Sequence, residues 1–268
     1  MPSPLRLAAL LAAAYVLACA ALFLLQRRML FPAPPAHAPT GGPPIPGLPL
    51  IAVETDGGGH CAYAPAARPG APTVVHFHGN AEDVSQQASL ALAVLGDGFG
   101  FLSVEYPGYG RLSDRSPSED GLYAAGRAAL DWLAGEGTRA EDVLLLGRSL
   151  GCGPAVQMAM EKRGPALVLV SPFASVPAMA RRIAPFAPTA LLVRDRFDNL
   201  GKAPGIALPA LVMHGDVDEV IPFAQGRAVG EAFPAGEFRV LHGVGHNDVD
   251  VVSLVPPALR DLEQRRGR

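Results

Sequence analysis

The stretch Val143-Leu144-Leu145-Leu146-Gly147-Arg148-Ser149-Leu150-Gly151-Cys152-Gly153 constrains this chain more than any other. Its aliphatic run has the length and composition of a strand buried on both faces, and it stops at Gly147. Ser149 follows between two glycines, and an Ala- and Met-rich segment to about Lys162 then reads as a helix. Gly-x-Ser-x-Gly takes its meaning from this strand–turn–helix setting. A turn this tight strains the serine backbone and throws the hydroxyl clear of the sheet. A β-carbon at Gly147 or Gly151 would collide with neighbouring backbone. Amide groups at the start of the helix, that of Leu150 among them, face the hydroxyl and can bind a developing oxyanion.

The rest of the chain repeats the alternation of strand and helix. Ile51–Glu54 and Cys61–Tyr63 read as an edge hairpin across the turn-prone Asp56-Gly57-Gly58-Gly59. Further strands are expected over Thr73–His78, Phe101–Tyr106, Ala166–Val170, Leu208–Met213 and Glu237–Leu241. Helices are expected over Glu82–Leu95, Ser118–Leu133 (with Ser118 as N-cap), Phe223–Phe233 and Asp248–Glu263. Strands that are apolar throughout imply a parallel sheet covered on both faces. In such sheets ligands bind beyond the carboxyl ends of the strands, and the polar candidates fall there.

A serine hydroxyl needs a base to take its proton, and the base needs a carboxylate to orient it. His214-Gly215-Asp216-Val217-Asp218-Glu219 follows one strand, and His242-Gly243-Val244-Gly245-His246-Asn247-Asp248 follows the last. Asp218 is the expected orienting carboxylate, with Asp216 the alternative or the holder of an Asx-turn. His246 is the expected base. His242 and His214 read as structural, and Asn247 or Asp248 as the cap of the last helix. The loop His78-Gly79-Asn80-Ala81 should give the second oxyanion donor, from the amide of Asn80 or else of Ala81. His76-x-His78 has the look of a ligand pair, but no third ligand follows at useful spacing. The chemistry therefore calls for no metal and no cofactor.

Leu7–Leu25 carries no charge, and as a helix it would extend about 28 Å, close to the ~30 Å hydrocarbon core of a bilayer. An uncleaved anchor is the leading reading. A signal peptide cut near Ala18-Cys19-Ala20, or a lipoprotein signal at Cys19, competes with it, and the apolar run beyond Cys19 argues against both. Arg6 and the amino terminus nearly balance Arg27 and Arg28; the reading adopted puts the catalytic domain on the non-cytoplasmic side. The domains expected are an anchor over 1–28, a Pro-rich linker over 29–49 and a catalytic domain over 50–268, with a small lid at about 172–207. Three scattered cysteines make neither a disulfide framework nor a zinc cage. A net charge of −3 without a basic stripe argues against nucleic acid as a partner.

With these residues placed, the chain resembles the single-pass α/β-hydrolases related to the bem/bud-suppressor proteins and to eukaryotic protein depalmitoylases. Phe77–Ala81, Tyr106–Gly110, Gly147–Gly151, Ser171–Ser175, Leu192–Phe197, His214–Pro222 and Gly243–Asn247 carry the likeness, which covers nearly everything from Ile51 onward. Pro107 departs from it, standing where arginine is common. The resemblance implies an α/β-hydrolase fold, a triad of Ser149, Asp218 and His246, and a small lid that leaves the acyl pocket fairly open. The expected activity is cleavage of a carboxylic ester or thioester, on a small molecule or an acylated protein. A peptidase or amidase on the same triad, and an idle binding module, are the alternatives.

Overall fold

The computed structural model describes residues 3–32, 51–55, 59–68 and 70–266. Helix α1, Pro4–Leu30, begins at Ser3, whose Oγ accepts the Arg6 amide. Among the described residues eight strands follow: β1 Ile51–Thr55, β2 Gly59–Ala64, β3 Thr73–Phe77, β4 Gly100–Glu105, β5 Val143–Arg148, β6 Leu167–Val170, β7 Ala210–Gly215 and β8 Gly236–Leu241. Between and after them lie α2 Ala88–Gly96, α3 Glu119–Gly135, α4 Cys152–Met160, α5 Val176–Ile183, α6 Thr189–Leu192, α7 Asn199–Lys202, α8 Phe223–Ala232 and α9 Val251–Arg266.

The strands form one sheet in the order β1-β2-β4-β3-β5-β6-β7-β8. β1, β2 and β4 pair antiparallel, and every pair from β4 to β8 is parallel. Successive side chains along a strand point to opposite faces. Val75, Phe77, Leu145, Leu169 and Val212 accordingly pack under α3, α4 and α8, while Val74, Leu144, Leu146, Val168 and Met213 pack under α2 and α9. Both faces being covered, the central strands read as unbroken apolar runs, which is why they are visible in the sequence.

Several boundaries move, each for a local reason. The helix expected from Glu82 opens with a 3₁₀ turn over Val84–Gln87, because Asp83 and Gln86 close a capping box there. The last helix starts at Val251, where Asp250 Oδ1 accepts the Ser253 amide, so Asp250 and not Asn247 or Asp248 is its cap. α4 starts only at Cys152, after a 3₁₀ turn over Ser149–Gly151. Ser118 caps α3 as expected, accepting the Gly121 amide. α1 outruns the expected anchor, reaching Leu30. Of the expected linker over 29–49, the first two residues belong to α1, and 33–49 lie outside the described residues, as do 56–58 of the expected hairpin turn. The expected lid region carries α5, α6 and α7.

Candidate active site

Ser149 stands at the carboxyl end of β5 with φ +50°, a left-handed conformation that costs a side-chain-bearing residue energy. The turn survives because its neighbours are glycine. A Cβ on Gly147 would lie 2.7 Å from the Gly151 carbonyl oxygen, and one on Gly151 would lie 2.0 Å from the carbonyl oxygen of Phe77.

His246, in the loop after β8, puts Nε2 3.0 Å from Ser149 Oγ. Its Nδ1 lies 2.8 Å from Asp218 Oδ2. Asp218, in the loop after β7, has a fully buried side chain. Its Oδ1 accepts the amides of Val220 and Ile221 at 3.0 and 2.7 Å. Asp216, the alternative acid, lies elsewhere: it accepts His242 Nδ1 at 2.9 Å and the Gly243 amide at 2.7 Å at the surface. These contacts hold its carboxyl below the usual range, the His242 bond contributing most. His214 is buried, with Nε2 3.0 Å from the Ile221 carbonyl and 3.2 Å from Asp218 Oδ2. Burial lowers its pKa.

The His76-x-His78 pair does not converge on one ion: His78 lies past the end of β3 and packs on Tyr106 and Tyr109, while His76 stacks on Phe101. His76 Nδ1 meets Ser103 Oγ at 3.2 Å, whereas His78 Nε2 meets Glu105 Oε1 at 3.2 Å. Among the described residues no cluster of three His, Cys, Asp or Glu is placed to hold a metal.

The loop after β3 is braced on the Ser149 turn. Glu82 Oε2 accepts the Gly79 amide at 3.0 Å, and the same carboxylate pairs with Arg148, the residue before Ser149. The Ala81 amide donates to Asn80 Oδ1 at 3.2 Å. Asn80 Oδ1 also accepts the Tyr109 hydroxyl at 2.6 Å, and Asn80 Nδ2 donates to the carbonyl of Leu30 at 2.7 Å.

That last bond exposes what sequence reasoning missed: the end of α1 belongs to the site. A cavity of about 460 Å³ holds Ser149, Leu150, Asn80 and His246 at one end. One wall is α1, through Leu22, Phe23 and Met29; the facing wall is the lid, through Met179, Ile183 and Leu192. α1 is fastened to the lid by Gln26, whose Nε2 donates to the Leu192 carbonyl and whose Oε1 accepts the Arg194 amide. Arg27 pairs with Asp195 at 2.8 Å, and the Arg194 guanidinium stacks on Phe23 at 4.2 Å. Phe31 is buried against the edge of Phe197. Residues of α1 thus line the pocket beside those of the lid region. Glu219 was missed as well; its Oε2 accepts the His246 amide at 3.1 Å and sets the approach of that loop.

No family model matches the chain. An uncharacterized protein of Mycobacterium tuberculosis is 34% identical over 232 residues, which cover 85% of this chain and 82% of the relative. Alpha/beta hydrolase domain-containing protein 17B of Homo sapiens is 36% identical over 185 residues, covering 67% of this chain and 62% of that protein. Alpha/beta hydrolase domain-containing protein aho-3 of Caenorhabditis elegans is 38% identical over 198 residues, covering 71% and 57%. This chain thus spans somewhat less than two thirds of either animal protein. Among solved structures, Est1E from Butyrivibrio proteoclasticus matches with a TM-score of 0.62 at 18% identity, covering 81% of this chain and 98% of that one. The enol-lactonase from Burkholderia xenovorans LB400 matches at 0.60 and 18%, covering 80% and 99%.

Proposed function

We propose, from the premise that this chain belongs to the α/β-hydrolase family, that it is a membrane-tethered serine hydrolase cleaving carboxylic esters or thioesters through an acyl-enzyme. The observation that carries the reading is the pair of contacts on one imidazole, 3.0 Å to Ser149 Oγ and 2.8 Å to Asp218 Oδ2. Asp218 keeps the proton on Nδ1, so Nε2 is the free base. Ser149 Oγ adds to the acyl carbon as Nε2 takes its proton. The carbonyl oxygen becomes an oxyanion held by the amides of Leu150 and Asn80; the Ala81 amide is already spent on Asn80 Oδ1. Each such donor is worth roughly 3–4 kcal/mol of barrier. The intermediate collapses, the alkoxide or thiolate leaves with the proton from Nε2, and water repeats the steps on the acyl-serine. The apolar walls of the cavity suit an acyl chain. The apolar length of α1, without a charge from Leu7 to Leu25, supports the tether.

A fluorophosphonate probe tests the assignment. The wild type is expected to label and Ser149→Ala to stay dark; equal labelling of both would remove Ser149 as nucleophile. A panel of p-nitrophenyl esters and acyl thioesters beside aminoacyl anilides tests the bond type. Turnover of anilides at the rate of esters would overturn the ester and thioester reading.

A further inference from the structure

The lid tip runs Ile183-Ala184-Pro185-Phe186-Ala187-Pro188-Thr189-Ala190-Leu191, without a single charge. Its large apolar side chains face outward, with Ile183, Phe186 and Leu191 exposed by 72%, 58% and 84%. Water-facing loops are seldom so built. Much of the tip's backbone is hydrogen-bonded within the protein too. The amides of Ala184, Ala187, Thr189, Leu191 and Leu192 all donate to nearby carbonyls, and Pro185 and Pro188 have none to satisfy. Thr189 Oγ1 donates to the Pro177 carbonyl at 3.2 Å. The Ala190 carbonyl accepts from Arg196, and that of Phe186 accepts from Tyr15 Oη at 3.1 Å. Pairing of this kind lowers the cost of placing a backbone in hydrocarbon.

The bond from Tyr15 fixes the depth. The lid touches α1 at Gln26, just past the apolar run Leu7–Leu25, and again at Tyr15, one residue from the middle of that run. Eleven residues of helix separate the two contacts, about 16 Å of axis. That is half of a ~30 Å hydrocarbon core, and a tilt of about 20° changes it little. Charges resume where the lid passes back to the level of Gln26, with Arg194 and Arg196, beside Arg27 and Arg28 of the helix. Arg181 and Arg182, exposed immediately before the tip, can extend toward phosphate headgroups.

We propose that the lid tip 183–191 is a second membrane-insertion element, sunk one leaflet deep beside α1. The cavity between Leu22 and Ile183 then opens into the lipid of that leaflet, and acyl chains reach Ser149 from the bilayer rather than from water. This rests on the reading of α1 as a membrane helix. It adds that a surface of the catalytic domain is itself lipid-facing, on the leaflet nearest that domain.

The test uses the full chain in vesicles of phosphatidylcholine and phosphatidylglycerol with bromine at mid-chain, a short-range quencher of indole. Trp132, packed edge-to-face against Tyr63 in the catalytic domain, provides the baseline in the wild type. Leu17→Trp reports on α1, and Phe186→Trp reports on the lid. Both added indoles are expected to be quenched beyond the baseline. Quenching in Leu17→Trp alone overturns the lid insertion and leaves the tether standing; quenching in neither removes both. A kinetic arm uses Phe186→Asp with Leu191→Asp, two residues outside the cavity lining. Turnover of a long-chain ester held in vesicles should fall at least about tenfold, since a carboxylate is expelled from hydrocarbon. Turnover of soluble p-nitrophenyl acetate should stay within about twofold and shows that the variant is folded. Equal turnover of the vesicle substrate by variant and wild type overturns the proposal.

Discussion

If the end of α1 is part of the catalytic machinery, a chain beginning at Gly47 should leave the membrane and also work poorly. The loss can be sized contact by contact. Phe31 is 5% exposed, and burying a phenylalanine contributes about 1.5–3 kcal/mol. The bond from Asn80 Nδ2 to the Leu30 carbonyl contributes about 1 kcal/mol. Arg27 is 42% exposed, so its pair with Asp195 adds little in water. About 3 kcal/mol of stability is at stake, a fall in Tm of about 6–12 °C for a domain of this size. The kinetic loss has a separate origin. Asn80 is held on one side by Leu30 and on the other by Tyr109, and its own amide is the proposed oxyanion donor. Freeing one side should cost part of the ~3–4 kcal/mol such a donor supplies, or about 10–100-fold in kcat/KM. The assay compares the full chain in detergent with the Gly47 chain on p-nitrophenyl butyrate, beside flotation with vesicles and thermal melts. Asn80→Ala in the full chain repeats the loss of the clamp with the anchor intact. A shortened chain that melts with the full one and matches its kcat/KM within about twofold would refute the idea that α1 does more than tether.

The choice of acid and the response to pH make two further tests. Asp218→Asn keeps an oxygen for the amides of Val220 and Ile221 but presents an N–H donor to His246, forcing the wrong tautomer. The variant should fold and lose about a thousandfold or more in kcat, while Asp216→Asn, altering only a surface pair with His242, stays within about threefold. The reverse order would make Asp216 the acid. Burial, with His78 and Arg148 nearby, pushes His76 from 6.5 down to about 3. The unfolded chain binds that proton near 6.5, so the stability His76 contributes is complete above that value and is lost as pH falls through about 3. Urea midpoints at about pH 7 and about pH 5 should drop more in the wild type than in His76→Gln. Equal drops would refute it.

Strand order along the chain was legible because a sheet covered on both sides leaves continuous aliphatic runs, as at Leu144–Leu146 and Leu167–Val170. The positions of Ser149, Asp218 and His246 were legible because each follows such a run. The second wall of the pocket was not. A helix apolar on every side reads alike whether lipid or protein covers it, and the polar groups that dock α1 find partners more than 160 residues away in the lid. The tip of the lid was equally opaque, since prolines and alanines carry no periodicity that would place α5 and α6. Asn80 was singled out for its amide, yet its side chain joins Leu30 to Tyr109 through contacts that no spacing records.

Asp218 divides its labour between its two oxygens. Oδ1 folds the loop by gathering the Val220 and Ile221 amides, and Oδ2 faces the imidazoles of His246 and His214. The carboxylate proposed to serve the reaction is thus the same group that builds its own platform. A longer glutamate would have to abandon one task to reach the other, so this acid cannot migrate along the loop or lengthen without the turn being rebuilt around it.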